Sequence, residues 1–279
     1  GVEAPRRAQW LRAVMAELER LANHLGDIGA VCNDAAFVIL HAHFGVLREQ
    51  VLRAANQAFG HRLMMDRIVP GGVAADVEMD GLEAVTQAAA AVRKALPRLI
   101  EVYDETNSLQ DRTVGTGVVR AEWVQQFAAG GFIGRASGRA FDARRWRPYE
   151  RYQGLDFEPP VLSEGDVNAR VWVRIREVEQ SLTMLDELLA EPPIGPIHAE
   201  FGRDAATGVR EGAALVEGFR GDVFLWIRLA ADSTVAACHF RDPSWFQWPL
   251  LEAAIQDNIL ADFPLCNKSF NCAYSGHDG

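Results

Sequence analysis

The stretch "RAQWLRAVMAELERLANHLGDIGAVCNDAAF", residues 7–37, decides the fold of this chain. Leu11, Val14, Leu18, Leu21, Leu25 and Ile28 recur at alternating steps of three and four residues, which lines them up on one helix face. Pro5 stands where the first turn of a helix tolerates it, and arginine and glutamate fill many of the remaining positions. The spacing predicts a long amphipathic helix whose apolar face needs neighbours. A second helix is predicted from about Asp34 to Phe59, ending at Gly60. A third runs from Asp80 to about Asn107, beyond the turn signal "VPGGV" at 69–73. Long helices with short connections pack antiparallel, so residues 1–127 are expected to form a bundle.

The texture then changes. Residues 128–164 read mainly as loop, with Arg135, Arg139, Arg144, Arg145, Arg147 and Arg151 interleaved with Trp146, Tyr149 and Tyr152. An arginine and aromatic cluster of this kind is the composition of an interface core. Arg135, Arg144, Arg145, Arg147, Tyr149 and Tyr152 are therefore the candidate interface residues. The alternative is internal pairing with the many acidic side chains of the same chain. Residues 165–190 return to a helical pattern. In the remainder, 191–279, the segment "ALVEGFRGDVFLWIRLAADSTVAACHF" (214–240) alternates apolar and polar residues around a polar turn, which predicts a β-hairpin or meander. A last helix is predicted from about Trp245 to Leu260. The expected fold class is mainly α, a long-helix bundle with a small C-terminal β element, in one domain spanning 1–279.

Composition sets the bounds on function. The chain has 279 residues, is 49% hydrophobic and 24% charged, and carries a net charge of −10. That balance suits a globular protein and argues against nucleic-acid binding, which needs a basic surface. No apolar run approaches the roughly 20 residues that span a bilayer. Four cysteines (Cys32, Cys238, Cys266, Cys272) with no CxxC are too sparse for a disulfide framework. The first residue is not methionine and a helix begins almost at once, so the stretch is expected to start inside a longer protein. "VPGGV" lacks the lysine and hydroxyl residue of a phosphate loop, and no GxSxG is present.

Several motifs together resemble one superfamily, the large subunits of nickel–iron hydrogenases and the 49-kDa (D-type) subunit of respiratory complex I. The opening helix with its "NHL", the segment "LREQVLRAANQAFGHRLMMDRIVPGGV" (47–73), the loop "RASGRAFDARRWRPYERY" (135–152), the helix "GDVNARVWVRIREVEQSL" (165–182) and the turn "EGFRGDV" (217–223) carry the resemblance. The wording is most similar to large subunits of membrane-bound energy-converting hydrogenases and formate hydrogenlyase-like complexes. The resemblance implies an oxidoreductase-complex subunit on the inner, cytoplasmic face of the cell membrane, attached through its partners, with NAD binding only at the level of the whole complex. The implied partners are a small iron–sulfur subunit, which would carry the cluster, other subunits of the complex, and a quinone. Two alternatives stand beside it: a working nickel–iron hydrogenase with an atypical site, and a scaffold subunit without redox role.

Hydrogenases of this superfamily end on D-P-C-x-x-C-x-x-H/R, whose two thiolates hold nickel. Setting "SFNCAYSGHDG" (269–279) against it puts Asn271 on the aspartate, Cys272 on the proline, and Ala273 and Gly276 on the thiolates. No nickel–iron centre and no other cofactor is therefore expected in this chain. Three residues are candidates for proton chemistry. Asp34 falls on an aspartate of the complex I subunit that partners the quinone-site histidine; read locally, "CNDAAF" is equally a helix cap. Glu17 and His24, two turns apart, share a helix face, where an acid and an imidazole can hand on protons or simply hold a structural hydrogen bond. His41 and His43 point to different faces and are given no metal role.

Overall fold

The computed structural model describes residues 3–200 and 210–277. Helix α1 (Arg6–Asp34) buries the face that its spacing marks: Leu11, Val14, Leu18, Leu21, Leu25 and Ile28 are all shielded from solvent. Around it pack α2 (Val38–Phe59), α3 (Met79–Glu105) and α8 (Val167–Ala190). The bundle predicted for the first third of the chain thus needs α8 as well, which arrives from much later in sequence. Trp10 shows how tightly the pair is tied, because its indole N–H donates to Leu188 O at 2.7 Å across α1 and α8. Trp10→Ala should cost about 3–5 kcal/mol by emptying this packed site. A urea-unfolding midpoint unchanged from wild type would show that the contact is not what joins the two helices.

Helix boundaries differ from expectation where backbone geometry overrides composition. α1 continues through Asp34, and the corner is made by Ala36 at φ 63, so α2 starts at Val38 and Asp34 is not its cap. α2 ends, as expected, on Gly60 in the left-handed conformation. Between α2 and α3, β1 (Ile68–Val69) and β2 (Gly72–Val73) form a two-residue-strand hairpin at "VPGGV". α3 stops at Glu105 because Thr106 is extended, and α4 (Asn107–Thr113) follows it. The segment read as loop holds α5 (Ala121–Gln126), α6 (Gly131–Ala136), α7 (Ala143–Trp146) and a 3-10 turn at Glu150–Gly154. Helices this short carry too few turns to register as a periodic pattern.

The β element is a three-stranded antiparallel meander in the order β3 (Arg210–Glu217), β4 (Asp222–Leu229), β5 (Val235–Arg241). Its register pairs Glu217 with Asp222 and Phe224 with Arg241. Apolar side chains on it stay in contact with solvent, with Val235 60% and Phe240 48% exposed. α9 (Ser244–Ala254) ends six residues before the predicted limit, and Asp257 has a φ of 63. The tail then folds into α10 (Phe263–Phe270) and α11 (Tyr274–His277), neither of which the sequence pattern predicts. α8 is the wall between two cores: Val171, Ile175 and Val178 belong to the larger, and Ala169 and Val173 to the smaller one with α5, α6, α9 and α10. Among the described residues no helix is long and apolar enough to cross a membrane.

Candidate functional site

α1 and α8 face each other with polar side chains on otherwise apolar surfaces. Glu17, Arg20 and His24 on α1 meet Arg174, Glu177 and Ser181 on α8, and all six are fully or almost fully buried. Buried charges persist only when paired and hydrogen-bonded. Glu17 accepts from Ser181 Oγ at 2.6 Å, from Tyr152 Oη at 2.6 Å and from Arg144 Nη1 at 2.9 Å. Burial by itself would raise this carboxyl, but Arg144 and Arg20 outweigh it and hold it below the usual range. His24 Nε2 lies 2.7 Å from Glu177 Oε2. Burial pushes the imidazole below its ordinary value against the pull of Glu177, so His24 is neutral and donates from Nε2. Burial likewise opposes ionisation of Glu177, yet Arg135 and the His24 hydrogen bond keep it well down in the ionised range.

The arginine segment supplies the counter-charges, which corrects the interface expectation. Arg135 and Arg144 have no exposed surface, and Tyr152 is buried. Arg135 spans α8 and β3, with Nη2 2.7 Å from Glu177 and Nη1 2.9 Å from Glu217. Arg144 is gripped by Asp142 through Nε at 3.0 Å and Nη2 at 2.7 Å. The physical reason is that Glu17, Glu177 and Glu217 are all inside, and guanidinium groups are what can satisfy them there. Arg145 and Arg147 do remain on the surface, Arg145 paired with exposed Glu158 at 3.1 Å. Tyr149 is half-buried, and its hydroxyl accepts from Glu217 N at 3.0 Å. Asp34 stands apart from this cluster at the end of α1, half-exposed, accepting from the neighbouring Asn33 side chain at 3.3 Å.

Beside the cluster lies a cavity of about 800 Å³ between α1, the segment before β1, the Tyr149–Tyr152 turn and the β3–β4 hairpin. Met15, Met64, Ile68, Leu215, Val223 and Phe219 give it apolar walls, and Tyr149, Glu217 and Arg220 place polar groups among them. Arg20 donates to Glu217 O at 2.9 Å and Gly218 O at 3.1 Å, fixing the hairpin turn to α1. The turn also abuts α6: a Cβ on Gly131, whose φ is +65, would collide with Arg220 O. Arg220 Nε donates to Asn271 O at 2.5 Å, which joins the turn to the chain's tail. Asn271, in the left-handed conformation after α10, donates to both carboxylate oxygens of Asp27 at 3.0 and 2.9 Å. Glu19 opens to solvent at the cavity, yet the surrounding walls raise its carboxyl.

Residues 35–211 match the family described as "Respiratory-chain NADH dehydrogenase, 49 Kd subunit". The chain belongs to this family. Formate hydrogenlyase subunit 5 of Escherichia coli (strain K12) is 31% identical over 280 residues, covering 100% of this chain and 48% of the relative. The D-type NADH-quinone oxidoreductase subunit of Anaplasma phagocytophilum (strain HZ) is 27% identical over 303 residues, covering 100% of this chain and 77% of the relative. A chain of the membrane-bound sulfane sulfur reductase, an archaeal respiratory membrane complex, superposes with a TM-score of 0.92 at 30% identity, over 100% of this chain and 77% of that one. The 49-kDa-family chain therefore spans about half the length of formate hydrogenlyase subunit 5.

The tail of this 49-kDa-family chain lacks two cysteines at the spacing of the hydrogenase ending. Cys266 is enclosed in α10, against Gly117, and burial raises its thiol. Cys272 is likewise buried, and burial pushes its thiol up to about 12. Ala273 and Gly276 offer no donor, and Gly276 is in contact range of Asp242. What the sequence missed at the site is spread over four elements: Arg20 on α1, Asp142 at the start of α7, Glu177 on α8 and Glu217 on β3. A signal existed in "RVWVRIREVEQS" (170–181), where Arg170, Arg174, Glu177 and Ser181 step by four, three and four along one face.

Proposed function

We propose that this chain is the 49-kDa-type subunit of a membrane-associated redox complex, and that its cavity receives a quinone-like, largely apolar redox substrate. The observation that carries this reading is the cavity itself. Its volume of about 800 Å³ is in the range of small-molecule sites, and its lining is largely apolar with polar side chains among it. Arg220 and the Tyr149 hydroxyl are suited to donate to a carbonyl-bearing head group while Met15, Met64 and Ile68 take an isoprenoid-like chain. In this reading the electrons come from an iron–sulfur cluster on a neighbouring small subunit, and other subunits hold the assembly to the inner face of the membrane. Arg145, Arg147 and exposed Trp146 are what remains of the arginine segment to meet such a neighbour. Asp34, at the exit of α1, keeps its proposed proton role only if the neighbouring subunit covers it.

The chain itself holds no nickel–iron centre in this proposal, because Ala273 and Gly276 stand at the thiolate positions and Cys266 and Cys272 are spaced too far apart to replace them. Two measurements on the intact complex test the reading. A photoactivatable quinone should label peptides from 12–19 or 214–223, and excess unmodified quinone should suppress the labelling. Labelling confined to other subunits would remove the cavity from the reaction. Elemental analysis should give far less than one nickel per chain, and stoichiometric nickel would favour the hydrogenase reading that the relatives' names suggest.

A further inference from the structure

The buried cluster does not balance. Glu17, Asp142, Glu177 and Glu217 are carboxyls without access to solvent or nearly so, while Arg20, Arg135 and Arg144 are the guanidiniums that pair with them. Four acids against three bases leave one excess negative charge in this cluster. Arg174 does not correct this, since it is matched by Asp27 at 3.4 Å. His24 does not either, because it is neutral. An isolated buried charge is costly, and the usual escape is to take up a proton.

The geometry shows where that proton belongs. Asp142 and Glu217 converge on one nitrogen, Arg135 Nη1, with Asp142 Oδ2 at 3.5 Å and Glu217 Oε1 at 2.9 Å. Two carboxyls gathered on one cation repel each other and ionise together only at a cost, so they titrate as a pair. We propose that Asp142 and Glu217 form a carboxyl pair that binds one exchangeable proton and exchanges it with the cavity at the wall made by Tyr149.

The surroundings decide which partner carries it. Asp142 caps α7 by accepting from Arg144 N and is chelated by the Arg144 guanidinium; despite burial, Arg144 and Arg135 hold it down to about 2. Glu217 is pushed up to about 7 by burial first and by Asp142 next, against Arg135 and the Ala143 N–H. The groups facing the pair are Arg20 from α1, Arg135 from α6, Arg139 after it, Arg144 from α7, Tyr149, Glu177 from α8, and the Asp222–Arg241 ion pair of β4 and β5. Glu217 is also the member of the cluster among the residues that line the cavity, beside Tyr149, which makes the cavity side the nearest route for proton exchange. The pair binds its proton whatever occupies the cavity, so the quinone reading can fail while this inference stands.

Linkage gives the sign of the pH effect. Between about pH 4.5 and about pH 7 the folded chain holds a proton that the unfolded chain has released. Stability from this group is complete below the lower value and is lost as pH rises through the upper one. The test is infrared difference spectroscopy on the full-length protein in its complex, between about pH 5 and about pH 9, with Glu217→Gln and Asp142→Asn beside wild type. A protonated-carboxyl band that shifts in deuterium oxide should titrate near neutrality, amount to one proton per chain, and vanish in E217Q. In D142N the band should move to lower pH, since Glu217 then ionises without a carboxylate beside it. A wild-type spectrum with no carboxyl titrating in that range overturns the proposal, as does a titrating band unchanged in both variants. Should a variant not fold, the wild-type titration decides alone, because a purely structural ion cluster would stay ionised throughout.

Discussion

Gly131→Ala is expected to unfold or badly distort the chain, with a loss on the order of 3 kcal/mol or more. Two costs add. Gly131 has a φ of +65, a left-handed conformation that costs an L-residue about 1–2 kcal/mol. The new Cβ would also collide with Arg220 O and lie 2.6 Å from both Arg220 C and Gly221 Cα, all backbone atoms that no rotamer change can move. Overpacking of this kind costs a further 1–3 kcal/mol or so. The strain is relieved only by pushing the β3–β4 turn away from α6, which carries Arg220 and Glu217 out of register with the cavity. The chemical-denaturation midpoint should fall, and labelling of the cavity by the photoactivatable quinone should fall with it. A variant with wild-type stability and labelling would mean that the turn can shift freely and does not position the cavity.

Arg135→Met is expected to be nearly as damaging, at about 3–5 kcal/mol, the cost of stranding buried charges when one partner of a buried pair is removed. Arg135 serves Glu177, Glu217 and Asp142 at once and also donates to Phe141 O at 2.8 Å. Methionine fills much of the same volume, so the loss measures charge compensation rather than a void. Adding Glu177→Gln to Arg135→Met should return part of the stability, because one stranded carboxylate is then neutral. If the double variant is no more stable than the single one, the cluster is held by packing and not by its charges.

The difference between what can and cannot be read from the sequence follows from the range of each interaction. The face of α1 repeats over six residues from Leu11 to Ile28, and a repeat of that length announces a long helix without any tertiary knowledge. The alternation around "ADST" announces the meander in the same way. By contrast, Asp34 resembles a cap because local chemistry permits it, and only the turn at Ala36 shows that α1 absorbs the residue instead. Arg135 and Arg144 read as surface residues because arginine usually is one. Their partners lie 42 residues away for Glu177, 127 for Glu17 and 82 for Glu217, separations that no local pattern encodes. The cavity belongs to the same class, since its walls come from five stretches of chain that meet only in three dimensions.

The meander has a practical consequence for anyone producing this protein. β5 is the outer strand of the sheet, and among the described residues no further strand hydrogen-bonds to its free side. Its sequence, Val235–Arg241, has neither lysine nor proline, the residues by which natural sheets discourage edge-to-edge adhesion. Its apolar side chains stay wet, and Cys238 on it is exposed and unpaired. Self-association through this strand is the expected result for the chain made on its own, and non-reducing gel electrophoresis should show a Cys238-linked dimer that Cys238→Ser removes. Reducing buffers and a lysine placed at Ala236 are the handling choices that this geometry recommends.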